Sequence, residues 1–197
     1  MKLTNKIMII RLILAIMVLG FLLFPFYQVG ISFPTYLING NILVDLRYII
    51  AGILFVIFML VGLFSWYMAK KKNRLTDYVM MVTWTCDKML VDSLLIVLSC
   101  NGMISVIIAV AVIVRDVAVD MIKLLAGNKG KLLMVQNVSR LKGFLLIIGV
   151  ALSLFYNLPF ELWNFRVSDL VLVVAAVLSV ISGVRYYMMA KNLFSGK

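Results

Sequence analysis

Six apolar runs, most of them close to twenty residues long, constrain this chain more than any other feature. They lie at about 7–24, 48–68, 79–98, 103–125, from after Lys142 to about 156, and 170–189. A helix needs roughly 20 predominantly apolar residues to cross the hydrocarbon core of a bilayer. Barrel strands would alternate apolar and polar positions in segments of about 10 residues, and no such alternation is present. Of the 197 residues, 64% are hydrophobic, and the mean hydropathy is +1.12, well above soluble-domain usage. The sequence therefore predicts an all-α, polytopic membrane protein with six transmembrane helices, built as one domain over residues 1–197.

The breaks between the runs carry the turn chemistry and the charge. Pro25 stops the first run, because proline inside a helix removes a hydrogen bond and clashes with the preceding turn. Gly30, Pro34, Asn39, Gly40 and Asn41 make residues 27–46 an irregular loop, and Asn101-Gly102 a tight turn. Lys70, Lys71, Lys72 and Arg74 follow the second run, and Lys123, Lys129, Lys131, Arg140 and Lys142 surround the break after the fourth. Only Arg47 and Arg166 flank the opposite side. The positive-inside rule then predicts a multi-pass protein of the cell membrane with both termini cytoplasmic. The MKLTNK lead resembles a signal peptide's start, but Arg11 lies inside the run and no small-residue cleavage site follows, so the first span is expected to be retained.

Nineteen Lys and Arg against eight Asp and Glu give a net charge of +11. In a membrane chain this excess reports orientation and contact with anionic phospholipid, so nucleic acid is not an expected partner. There is no histidine, which removes imidazole bases and His-ligated metals. The two cysteines, Cys86 and Cys100, have no metal-site spacing.

Seven charged residues sit within or at the edges of the third and fourth runs: Asp87, Lys88, Asp92, Arg115, Asp116, Asp120 and Lys123. An unpaired charge near the middle of a bilayer costs about 2.5–3.5 kcal/mol on insertion scales. Such side chains are expected to face one shared polar cavity, with Asp92, Asp116 and Asp120 among its acids. Lys88 with Asp92 and Asp116 with Asp120 are four apart, and Asp120 with Lys123 three apart, so each pair shares a helix face. Arg115 and Lys88 are candidate partners for Asp116 and Asp120. Ion pairs that merely join two helices would explain the same residues. Asp116 and Asp120 could also share one cation.

The stretch VGLFSWYMAKKKNRLTDYVMMVTWTCDK, from residue 61 to 88, resembles the signature D-x-x-D-G-x-x-A-R-x(8)-G-x(3)-D-x(3)-D of the CDP-alcohol phosphatidyltransferases, and most closely that of the phosphatidylglycerophosphate synthases. Ala69 stands at the alanine, Lys70 at the arginine and Asp87 at the last aspartate. Gly62, Ser65 and Thr83 replace the other three aspartates, while Trp66 and Val79 replace the two glycines. Asn5, Met8 and Arg11 resemble the family opening N-x-x-T-x-x-R, and Arg115-Asp116 resembles its Arg-Glu pair.

The resemblance implies a six-helix enzyme that joins an alcohol to the phosphatidyl group of CDP-diacylglycerol and releases CMP, with Mg²⁺ or Mn²⁺ held by the motif aspartates. It also implies that Lys88, Arg115, Lys123, Arg140 and Lys142 lie near a phosphate-bearing acceptor, and that the chain dimerises. Asp87 is the one retained catalytic aspartate. A hard dication wants several oxygen ligands, and one carboxylate with two hydroxyls is a poor set, so no metal is predicted here. Two readings follow. One is a degenerate synthase-like subunit that binds CDP-diacylglycerol, glycerol phosphate or anionic phospholipid, as a homodimer or with an active paralogue. The other is a divergent active enzyme that transfers the phosphatidyl group to glycerol 3-phosphate. A small-molecule transporter is disfavoured, since no broken-helix repeats are visible.

Overall fold

The computed structural model describes residues 3–38, 42–71, 77–128, 137–158, 160–163 and 165–194. Six long helices dominate: α1 (Leu3–Leu23), α2 (Leu46–Lys71), α3 (Asp77–Cys100), α4 (Val106–Asn128), α5 (Asn137–Leu154) and α6 (Val167–Phe194). Among the described residues, α2 over Leu46–Phe64 and α6 over Val167–Lys191 are long and apolar enough to cross a membrane, while α1 offers the shorter apolar stretch Ile9–Leu23. The charges that interrupt α3 and α4 are the ones that line a common cavity, described below.

The loop expected at 27–46 holds more order than its turn-formers indicate. After a 3₁₀ turn at Phe26–Val29, β1 (Thr35–Ile38) pairs antiparallel with β2 (Ile42–Asp45), Thr35 opposite Asp45 and Ile38 opposite Ile42. The short β-branched and apolar run Ile42-Leu43-Val44 is the missed signal: Val44 is buried while Leu43 on the other face is exposed. Phe21, Phe24, Phe26 and Phe33 pack edge-on or tilted beneath this end, with centroids 4.8–5.7 Å apart.

The core is one apolar cluster drawn from all six helices, including Val18, Phe55, Phe58, Leu94, Leu98, Val112, Val150 and Leu172. Outward, α1, α4 and α6 expose Ile13, Ile16, Ile107, Val114, Val173 and Val180. An apolar exterior around an apolar core is the pattern of a helix immersed in lipid. Two corners set the helix directions. Gly102 takes the left-handed conformation (φ 71°) between α3 and α4, which glycine adopts without steric cost. Between α5 and α6, Tyr156 and Asn157 hold positive φ. The Asn157 side chain fastens that corner, donating to the Phe165 carbonyl at 2.8 Å and to Glu161, and accepting the Ser168 N–H at 3.0 Å.

Helices α5 and α6 pack closely at Gly149. A Cβ added there would lie 2.6 Å from Cδ2 and 2.7 Å from Cγ of Leu172, which is fully buried and has no room to retreat. Gly149→Ala should lower stability by about 1–3 kcal/mol through overpacking. Gly20→Ala, where nothing lies within 4 Å, should leave it unchanged or raise it slightly. Thermal unfolding of the two variants in detergent compares them directly.

Candidate functional site

A cavity of about 710 Å³ lies among α3, α4 and α5. Its wall carries Asp87, Lys88 and Asp92 from α3, Arg115, Asp116, Asp120 and Lys123 from α4, and Arg140 and Lys142 from α5. The helical periodicity brings them together: 88 and 92 are one turn apart, as are 116 and 120, so each pair projects from one face. The exposed lining residues Asp120, Arg140 and Phe144 mark the end where α4 finishes and α5 begins. Asp92 lies about 6 Å deeper along α3 than Lys88, at 1.5 Å per residue.

Asp116 is the centre of the charge arrangement. Both it and Lys142 are only 4% exposed, and the Lys142 ammonium donates to the two carboxylate oxygens at 2.6 and 2.7 Å. Arg115 donates to one of those oxygens at 2.7 Å and also to the Ser182 hydroxyl of α6. Lys88 reaches across from α3 to bind the Asp120 carboxylate and donates to the Asp116 carbonyl at 3.2 Å. Lys123 stands 3.9 Å from Asp120, and its ammonium lies 5.2 Å from the Tyr186 ring centroid. The expected pairing of Lys88 with Asp92 is not made, because the α4 carboxylate is within reach and takes the lysine. Among the described residues, Asp92 and Arg140 are the cavity charges with no ion pair.

Asp87 has a partner the sequence pattern did not provide. Its carboxylate is bound by Arg11 of α1, which is 3% exposed. The guanidinium carbon lies 4.8 Å above the Phe58 ring and fills the space beside Gly62, where an added Cβ would meet Nη2 at 2.5 Å. An arginine inside an apolar run was the available signal, since such a residue must find a partner. Ser182 was likewise visible only as a small residue in α6. Ser65, Trp66, Ala69 and Lys70 fall in α2, and Val79 and Thr83 in α3, but their side chains lie outside the described residues, as do Asn5 and Met8.

A match to known proteins identifies the lineage of this cavity. The family model for CDP-alcohol phosphatidyltransferase matches residues 1–185. The chain belongs to that family. It is also 29% identical over 186 residues to a Bacillus subtilis protein named CDP-diacylglycerol–glycerol-3-phosphate 3-phosphatidyltransferase, covering 94% of this chain and 93% of the relative. The CDP-alcohol phosphatidyltransferases are membrane proteins that bind CDP-diacylglycerol and an alcohol acceptor and use divalent metal ions. The residues present do not fit such a metal. At the first aspartate position Gly62 offers no ligand, and the space its side chain would use holds the Arg11 cation.

Removing a partner from a buried pair strands the other charge, at a cost of about 3–5 kcal/mol. Lys142→Met leaves the Asp116 carboxylate with Arg115 as its remaining cation and is therefore expected to destabilise the protein by part of that amount. Asp116→Asn removes the partner of both cations, so the two substitutions together should cost less than the sum of each alone. A double-mutant cycle on detergent melting temperatures reads the coupling; strict additivity would mean that the pair is not formed.

Proposed function

We propose that this chain is a phosphatidylglycerophosphate synthase-like membrane protein of phospholipid metabolism that holds a phosphate ester in the α3–α4–α5 cavity without transferring it, and acts as a binding or partner subunit. The observation that carries the reading is the division of charge in the cavity wall. Asp116 is satisfied by Lys142 and Arg115, and Asp120 by Lys88 and Lys123. Arg140, exposed at the mouth, is left without a carboxylate among the described residues. A guanidinium presents a planar fork of donors that suits phosphate oxygens. Deeper in, the unpaired Asp92 accepts from a ligand hydroxyl, so a small phosphorylated alcohol such as glycerol phosphate spans the two.

Loss of transfer follows from the ligand count. Transfer would bond the acceptor's hydroxyl oxygen to the phosphatidyl phosphorus, break the bond to CMP and pass the hydroxyl proton to a base. Three of the four motif carboxylates are absent, and Asp87 is engaged by Arg11. One electrostatic stabiliser of a developing charge is worth about 10²- to 10³-fold in rate, and three are missing together. In this reading six helices span the cell membrane, both termini are cytoplasmic, and the chain pairs with a second copy or with an active paralogue. The second reading, an active enzyme that transfers the phosphatidyl group to glycerol 3-phosphate, is favoured by one observation: similarity to the B. subtilis protein extends over nearly the whole length of both chains.

A transfer assay with purified protein, radiolabelled glycerol 3-phosphate, CDP-diacylglycerol and Mg²⁺ or Mn²⁺ separates the two. The expected result is no product above a no-protein blank, and metal-dependent product would establish the second reading. In parallel, equilibrium binding of the labelled glycerol phosphate should weaken by about tenfold or more in Arg140→Gln, the size of a charge-assisted hydrogen bond. Arg166→Gln, at the opposite end of the bundle, should leave it unchanged.

A further inference from the structure

The change of an acid to glycine at position 62 and the position of Arg11 are two halves of one arrangement. Gly62 lies one turn beyond Phe58 on α2, so the pair forms a seat with an aromatic floor and an open side. The Arg11 guanidinium occupies that seat, its carbon 4.8 Å from the Phe58 centroid and 2.9 Å from where a Cβ at 62 would stand. From there it binds the Asp87 carboxylate. Any side chain at 62 would displace it. Arg11 matches the family's opening pattern, so what differs here is the residue opposite it.

We infer that Arg11 is the resident cation of this site: its guanidinium, tethered to α1 and admitted by the missing side chain of Gly62, takes the counter-ion role at Asp87 that a divalent metal would otherwise fill. Asp87 is only part-buried, with 30% of its side chain exposed, and a carboxylate withdrawn even partly from water is favoured by a cation or strong donors beside it. A metal supplies this only while it is bound, whereas a guanidinium tethered to the chain supplies it permanently. The cavity wall at Asp87 is then set without Mg²⁺ or Mn²⁺. A restored carboxylate at 62 would meet the guanidinium first, so restoring that acid alone does not recreate a metal site. The inference goes beyond the proposed ligand and holds whichever phosphate ester fills the cavity.

The tests need no ligand, so their failure is distinct from failure of the binding reading. In the full-length protein in detergent, Gly62→Ala is expected to lower the melting temperature, and to lower it much less when Arg11→Met is also present. Equal shifts in both backgrounds, or none, would overturn the inference. Should Arg11→Met not fold, Arg11→Lys keeps the charge on a slimmer head, and the same comparison is read there.

Manganese electron paramagnetic resonance supplies a readout that packing alone would not move. Neither the wild type nor Gly62→Asp should bind Mn²⁺ saturably. The double variant Arg11→Met, Gly62→Asp should gain a saturable site, and Asp87→Asn added to it should remove that site. Saturable binding in the wild type that depends on Asp87, or in Gly62→Asp alone, would overturn the inference. A double variant as blind to Mn²⁺ as the wild type would overturn it too.

Discussion

The arrangement depends most on one buried carboxylate. Asp116 belongs to α4, Lys142 brings α5 to it, Arg115 extends from it to Ser182 on α6, and Lys88 of α3 donates to its backbone carbonyl. Three helices therefore meet at Asp116, and α6 joins them through the neighbouring Arg115. Where lipid surrounds a bundle, apolar side chains gain little by facing one another instead of acyl chains, so packing and polar contacts must provide much of the specificity. A carboxylate held by two cations fixes the rotation and the height of each helix that contributes to it. The close passage of Arg115 along Gly183, 3.0 Å from the position of an added Cβ, shows how tightly α4 and α6 are drawn together there.

Asp87 and Lys88 connect this centre to a second one. Adjacent residues on a helix point about 100° apart, so α3 directs Asp87 toward Arg11 and α2 while Lys88 reaches α4. One half of the bundle is joined through Arg11, Phe58 and Gly62, the other through Asp116, and α3 is common to both. Buried ion pairs are seldom strong net stabilisers, because desolvation offsets much of the attraction. Their value here is geometric: every wrong rotation of α3 leaves at least one charge without a partner in a medium that penalises it.

Much of this was legible in the sequence. The apolar runs overlap all six helices, although α5 begins at Asn137, before the run that follows Lys142; the family signature falls on α2 and α3, whereas the cavity lies among α3, α4 and α5. Helical spacing also grouped 88, 92, 116, 120 and 123. What it did not provide was the choice among partners. Lys88 and Asp92 satisfy the spacing rule, yet Lys88 binds Asp120, because the distance across a helix interface is set by packing that spacing within one helix does not encode. Arg11 was conspicuous as a charge in an apolar run, but its partner lies 76 residues away. Strands β1 and β2 were hidden by the glycine and asparagines in the sequence between them, since two strands of four residues carry too little alternation to outweigh a turn signal.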